Sequence, residues 1–326
     1  MASIAVPLPS SYKPIMATAL FTHPSSLAHV TPEGHPERID RIRAIDRILA
    51  TAPFEGLLRR EAPLGRDEYI LRAHDPGHLQ HIRSAAPENG IKYLDADTVM
   101  SPGTLEAALR AVGAATGAVD LVFSGEANNA FCALRPPGHH AERNQPMGFC
   151  FFNSAAIAAH YARARHGAGR VAVVDFDVHH GNGTQDIFWS DPDLFYGSTH
   201  QMPLYPGTGS SGETGVGNIF NAPLRAGDGG EQFRDAMGSI VLPALNAFAP
   251  DLIIISAGFD AHHRDPLGSL QLTEADFAWA TLQLMELAET HSGGRVVSVL
   301  EGGYDLQGLA SSVGAHVRAL MGGDDF

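Results

Sequence analysis

Val171-Ala172-Val173-Val174-Asp175-Phe176-Asp177-Val178-His179-His180-Gly181-Asn182-Gly183 decides how the rest of the chain is read. It opens as a continuous β-branched apolar run, the pattern of a strand buried on both faces, and then turns abruptly polar. In an extended chain alternate side chains share a face, so Asp175, Asp177 and His179 point the same way at the strand's end. Two carboxylates and an imidazole side by side call for a cation. Gly181 and Gly183 let the chain leave tightly, as expected where a parallel strand ends in a functional loop. The competing reading is a surface loop that is merely polar, and three other stretches argue against it.

The same change from apolar run to polar turn recurs on either side. Ala130–Leu134 reads as a strand ended by Arg135-Pro136-Pro137-Gly138-His139-His140. The most apolar strand, Asp251–Ala257, stops at Gly258-Phe259-Asp260-Ala261-His262-His263. A strand over 295–300 runs into Glu301-Gly302-Gly303-Tyr304-Asp305. Further strands are expected at Leu194–Thr199 and near 218–222. Helices are expected near 37–50, at 104–124, 154–166, 231–248 and 273–290, and from about 306 to 321. Strands alternating with helices predict an α/β fold, a mostly parallel β-sheet between two helical layers. In such sheets the ligand site lies at the carboxyl edge, so loops 135–140, 175–182, 260–263 and 301–305 are predicted to converge.

With 326 residues and 44% hydrophobic content the chain can bury a large core. Its 35 glycines are scattered through short turns rather than gathered in a linker, which reads as a single domain. A formal charge of -14 disfavours direct nucleic-acid binding, which takes clustered Lys and Arg. Cys132 and Cys150 sit in apolar stretches outside any CxxC pair and read as buried free thiols of a reducing compartment. Prolines interrupt the first 22 residues, so no signal peptide is expected. No segment reads as the ~18 apolar residues of a membrane span, and a cytoplasmic protein is expected.

Asp177, His179 and Asp260 would give a metal three ligands with a position left open, the arrangement of a catalytic rather than a structural site. Two carboxylates already neutralise a divalent cation, so such a metal is a weaker Lewis acid than one held by three imidazoles. It needs help. His139 and His140 can supply a general base and an electrostatic partner. Tyr304, on a glycine turn, can donate its hydroxyl to a developing oxyanion. Tandem loop histidines, an Asp that caps a helix and a core tyrosine are the bland readings, and their joint occurrence at strand ends weakens each. The parts describe a metallohydrolase that attacks a carbonyl. No HExxH is present, and the tandem histidines lack the i, i+4 spacing of a zincin.

Arg135–His140, Asp175–Asn182, Gly258–His262 and Glu301–Tyr304 resemble, in family order, the signature blocks of the histone deacetylase family, including bacterial deacetylase-like amidohydrolases. The resemblance implies the arginase-deacetylase fold over 23–326, with residues 1–22 as an N-terminal extension, and zinc-dependent removal of an acetyl group from an amine. It makes Asp177, His179 and Asp260 the zinc ligands. His140 becomes the general base and acid, His139 its electrostatic partner, and Tyr304 the oxyanion donor. Asp175 would face His139 and fix its tautomer. Asn182 stands opposite the other histidine, where one branch of the family has aspartate, so the chain resembles class II. A neutral amide stabilises an imidazolium less than a carboxylate does, which lowers the expected pKa of His140. The resemblance further implies potassium beside Asp175, Asp177, His179, Ser198 and Thr199, and a second cation at Phe188, Asp191 and Leu194. Gly148, Phe149 and Tyr205 would line the acyl channel, Leu267 its mouth, and Asp97 would hydrogen-bond the substrate at the rim.

The expected substrate is an acetyl-lysine peptide or protein. An acetylated polyamine is the nearest rival: Leu267 stands where polyamine-selective relatives can carry glutamate, while Asp95, Asp97 and the net charge favour a cationic substrate. Arginase-type hydrolysis with two manganese ions would need further carboxylates, yet Gly181 and His262 occupy those positions. A catalytically idle acyl-ligand binding module would be signalled by loss of a ligand or of Tyr304, and none is lost. A homo-oligomer is compatible with the sequence, the N-terminal segment and loop 23–38 being candidate partner surfaces.

Overall fold

The structure, a computed structural model, describes residues 17–323. In chain order its first half comprises β1 (Thr18–Thr22), α1 (Asp40–Leu49), β2 (Leu58–Glu61), α2 (Asp67–Ile70) and α3 (Pro76–Ala85). The hairpin strands β3 (Lys92–Tyr93) and β4 (Val99–Met100) follow, then α4 (Thr104–Ser124), β5 (Asn129–Cys132) and α5 (Ser154–His166). The second half runs β6 (Val171–Asp175), α6 (Asn182–Phe188), β7 (Leu194–Gln201), β8 (Ile219–Leu224), α7 (Gly230–Ala236) and α8 (Leu242–Phe248). It closes with β9 (Leu252–Ala257), α9 (Glu274–His291), β10 (Val296–Leu300) and α10 (Leu306–Leu320).

Eight strands pair in parallel in the order β2-β1-β5-β10-β9-β6-β7-β8. β9 explains why the sheet is buried on both faces. Its alternate side chains divide between two cores, Leu252 and Ile254 on the side of α4 and α5, Ile253 and Ile255 on the side of α1, α9 and α10. Each fully buried aliphatic side chain of this kind contributes roughly 1.5–3 kcal/mol. Local signals set the helix ends: the Asn153 side chain accepts from Ala156 N at 2.9 Å to start α5, and Asp305 accepts from Gly308 N at 2.8 Å to start α10.

Three expectations need correction and one needs refinement. Thr18–Thr22, assigned above to an N-terminal extension, is a strand inside the sheet, pairing Thr18 with Asn129 of β5 and Ala19 with Leu58 of β2. The rest of that extension, residues 1–16, lies outside the described residues. The helix expected over 231–248 is present and continuous from Gly230 to Phe248, but it is not regular: α7 passes into α8 through a π-helical turn at Met237–Val241, just ahead of Pro243, which supplies no N–H for a regular bond. α4 is long and apolar enough to cross a membrane, with a mean hydropathy of 1.3, contrary to expectation; 61% of that stretch is buried within the fold. Finally, the strand under the polar motif ends at Asp175, earlier than an extended motif requires. The alternation still persists, since Phe176 and Val178 enter the core while Asp175, Asp177 and His179 turn away from it. Asp177 N donates to Asp175 Oδ1 at 3.1 Å and His179 N to Asp177 Oδ1 at 2.9 Å, so side chains take over from the lost ladder.

Candidate active site

β5, β10, β9 and β6 are consecutive neighbours at the centre of the sheet, so the four loops that leave their carboxyl ends meet at one place. Asp177 and His179 come from the loop after β6 and Asp260 from the loop after β9. Their ligating atoms all lie within 4.8 Å of one another, and all three residues are buried. His179 Nδ1 sits 3.1 Å from Asp177 Oδ1 and 3.2 Å from Asp260 Oδ2. Burial opposes charge on His179, but the two carboxylates outweigh it and raise its pKa to about 10. The carboxylates thus concentrate negative potential at the point where a divalent ion would bind. The residues fit such an ion. Gly258 and Gly302 make room for them, since a Cβ at either would overlap the Asp177 or Asp260 carboxylates. Among the described residues this is the one His, Cys, Asp and Glu cluster of metal-holding geometry. His262 instead pairs with Glu274 at 3.4 Å, which argues against a second metal.

The tandem histidines follow β5 and have opposite surroundings. His139 Nδ1 lies 3.0 Å from Asp175 Oδ2, and its Nε2 lies 3.8 Å from Asp177 Oδ2. Burial disfavours its charge, yet Asp177 and Asp175 hold its pKa well above the usual imidazole range. His140 Nδ1 lies 2.8 Å from Asn182 Oδ1, while Asn182 Nδ2 donates to Glu142 Oε1 at 2.8 Å. With its Nδ2 so engaged, Asn182 offers His140 an oxygen, so Nδ1 carries the proton and Nε2 keeps its lone pair. Burial, reinforced by His139 and His179, holds the pKa of His140 well below the ordinary value. Two adjacent imidazoles with pKa values driven apart can divide a charged and a basic role.

Tyr304 follows β10 and borders the same cavity, of about 590 Å³, as His140, His179, Gly148, Phe149, Tyr205, Leu267 and Asp97. That volume suits a small-molecule or side-chain ligand. Among the described residues no protein group bonds the Tyr304 hydroxyl, which is free to donate. Its backbone is held instead: Tyr304 N and Asp305 N donate to Asp265 Oδ2 at 2.6 and 3.2 Å, and Leu267 N to Asp265 Oδ1 at 3.0 Å. Arg41 donates to Gly303 O at 2.6 Å, lies 5.0 Å from the Tyr304 ring centroid, and is paired through buried Glu37 with Arg135. The walls are aromatic. Phe149 follows Gly148 with both at positive φ, 69° and 54°, a strained wall conformation. The Tyr205 and His140 ring centroids are 5.1 Å apart. At the rim, Asp97 lies between β3 and β4, and its carbonyl accepts from His35 Nε2 at 3.1 Å.

Reading the sequence missed Glu37, Arg41, Asp265 and Glu301, none of which contributes a reactive atom. Their signal was weak but present: Glu301 is an acid directly after the run Val296-Val297-Ser298-Val299-Leu300, apolar but for one serine. Of the residues grouped as cation sites, Ser198 is the β7 partner of Asp175, and the buried Thr199 hydroxyl has no partner. In the second set, the carbonyls of Phe188, Asp191 and Leu194 converge, and Asn218 Nδ2 donates to them at 2.9, 3.0 and 2.7 Å.

Comparison with known proteins agrees with this geometry. The model of the histone deacetylase domain matches residues 35–320. A histone deacetylase-like amidohydrolase of Pseudomonas aeruginosa is 43% identical over 277 residues, covering 83% of this chain and 73% of its own length. A probable deacetylase of Archaeoglobus fulgidus is 37% identical over 317 residues, covering 95% and 88%. Among solved structures, the HDA15 HD domain matches with a TM-score of 0.90 at 37% identity, covering 95% of this chain and 89% of that one. Family and fold agree: the chain is a hydrolase acting on amides and belongs to the histone deacetylase family.

Proposed function

We propose that the chain is a zinc-dependent deacetylase of acylated amines, acting on N-ε-acetyl-lysine in peptides or proteins. The observation that carries this reading is that the cluster of Asp177, His179 and Asp260, the free Nε2 of His140 and the free hydroxyl of Tyr304 serve one aromatic-walled cavity. Bound zinc would supply Lewis acidity toward the amide carbonyl and toward a water molecule. His140 Nε2 takes a proton from that water as it adds to the carbonyl carbon. The Tyr304 hydroxyl donates to the oxyanion that forms. His140 then delivers the proton to the leaving nitrogen as the C–N bond breaks, giving free amine and acetate. His139, charged against Asp175, stays beside this exchange and favours the anionic transition state. Phe149 and Tyr205 pack against the methylenes of the lysine stem, and Asp97 accepts from the substrate backbone. Potassium beside Asp175 is part of the reading, supported by the unpartnered Thr199 hydroxyl.

One observation favours acetylpolyamine instead: Glu33 and Asp97 border the cavity, whereas among the described residues no Lys or Arg does. Leu267 at the mouth favours the peptide. The test is turnover by the zinc-loaded protein of an acetyl-lysine peptide against an acetylated polyamine, with Tyr304→Phe alongside. The peptide is expected to have the higher kcat/KM, and Tyr304→Phe to lose about 10²–10³-fold in kcat. Preference for the polyamine overturns the substrate, and no turnover of either overturns the deacetylase reading.

A further inference from the structure

We propose that Glu301 is a positioning residue for amide hydrolysis, its carboxylate tying the backbone of the His139–His140 turn to the strand end that carries Tyr304. The proposal rests on the catalytic roles just given to His140 and Tyr304. Glu301 continues the ladder past β10, its N–H donating to Ala257 O at 2.9 Å. Its side chain crosses to the loop after β5. There Oε2 accepts from both Gly138 N, at 2.7 Å, and His139 N, at 3.1 Å, while Oε1 accepts from the Ser256 hydroxyl at 3.3 Å.

Glu301 is 1% exposed and forms no ion pair among the described residues. Burying a carboxylate is costly even with the His139 imidazole nearby to favour its charge, and an apolar side chain would fill the space more cheaply. What the carboxylate adds is one oxygen able to satisfy two consecutive N–H groups of a buried turn. On its other side that turn is wedged: a Cβ on Gly138 would meet Phe152 O and Ser154 N at 2.8 and 2.9 Å. The backbone after Glu301 is equally fixed. Gly302 N donates to Asp177 Oδ2 at 2.8 Å, and Arg41 holds the carbonyls of Glu301 and Gly303. One side chain therefore sets the distance between the groups that must address the same carbonyl, His140 Nε2 and the Tyr304 hydroxyl.

Because the bonds to the turn need an acceptor rather than a charge, glutamine can replace Glu301. Its amide oxygen can receive both N–H groups while its NH2 donates to Ser256 Oγ. Methionine fills the space without an acceptor, and aspartate keeps the charge but withdraws it by one methylene. The test compares Glu301→Gln, Glu301→Met and Glu301→Asp in two assays. In the first, zinc-loaded enzymes turn over the acetyl-lysine peptide. Glu301→Gln is expected within about threefold of the parent, and the other two lower in kcat by about 10²-fold with KM within about threefold, as for a misplaced catalytic group. In the second, amide hydrogen exchange is followed by NMR without metal or substrate. The Gly138 and His139 amides are expected to be protected in the parent and in Glu301→Gln, and to exchange faster in Glu301→Met and Glu301→Asp.

Full kcat in Glu301→Met or Glu301→Asp overturns the proposal, as does a Glu301→Gln as impaired as Glu301→Met, or a parent whose two amides exchange freely. Should Glu301→Met fail to fold, the Gln and Asp pair still decides. A parent that hydrolyses no acylated amine defeats the deacetylase reading, while the exchange pattern tests the link by itself.

Discussion

At the floor of the cavity, Asp175, Asp177, Asp260 and Glu301 are each at most 1% exposed, and each accepts two or three hydrogen bonds from backbone, ring or hydroxyl donors. At the rim, Tyr93 is 58% exposed and Asp97 is half-buried on a short hairpin. The floor residues come from the ends of three adjacent strands of a parallel sheet, β10, β9 and β6, whereas the rim consists of loops lying over it. Removing one partner at the floor strands another buried polar group, which costs about 1–3 kcal/mol before any chemistry is counted. Removing one at the rim exposes a group that water can serve. On the proposed function, the floor would hold reacting groups in place and the rim would be free to select among substrates.

The sharpest way to break that division is His140→Ala. Loss of a general acid and base is expected to lower kcat by about 10²–10⁴-fold with zinc content unchanged. Steady-state kinetics with metal analysis checks it, and a loss below tenfold would remove His140 from the chemistry. Asp175→Asn probes one step further from the substrate. An amide in place of the carboxylate that faces His139 is expected to reduce activity by about 10–100-fold, the usual effect of a group that orients a ligand or base. Unchanged kcat there would mean that His139 needs no charged partner. Asp97→Asn tests the rim and is expected to be mildest, raising KM for a peptide by about 2–10-fold, the worth of one exposed hydrogen bond, with kcat preserved. A fall in kcat instead would place Asp97 among the floor residues and erase the distinction.

How much could be read without coordinates follows from the same division. The strands that deliver the floor residues are apolar runs ended by polar turns, and the sheet's own burial writes that pattern into each segment. Thr18–Thr22 escaped because its five residues follow a proline-interrupted stretch and their partners lie far along the chain. Leu58–Glu61 escaped because it carries two arginines and a glutamate, which an edge strand tolerates. The residues proposed to touch substrate or metal were legible because their chemistry is rare at strand ends. Arg41, Asp265 and Glu301 were not, because an acid or arginine that grips a backbone looks in sequence like any surface charge.

By itself, then, the sequence determined the α/β alternation, the convergence expected at the carboxyl edge and the candidate side chains for the site, since each is encoded by local pattern. Only the tertiary structure decided that β5, β10, β9 and β6 stand side by side, and so which side chains meet. Glu301 reaches His139 across 162 positions, and Gly302 reaches Asp177 across 125. The order of parallel strands is set by how the intervening helices cross over and pack, and no short segment carries that information.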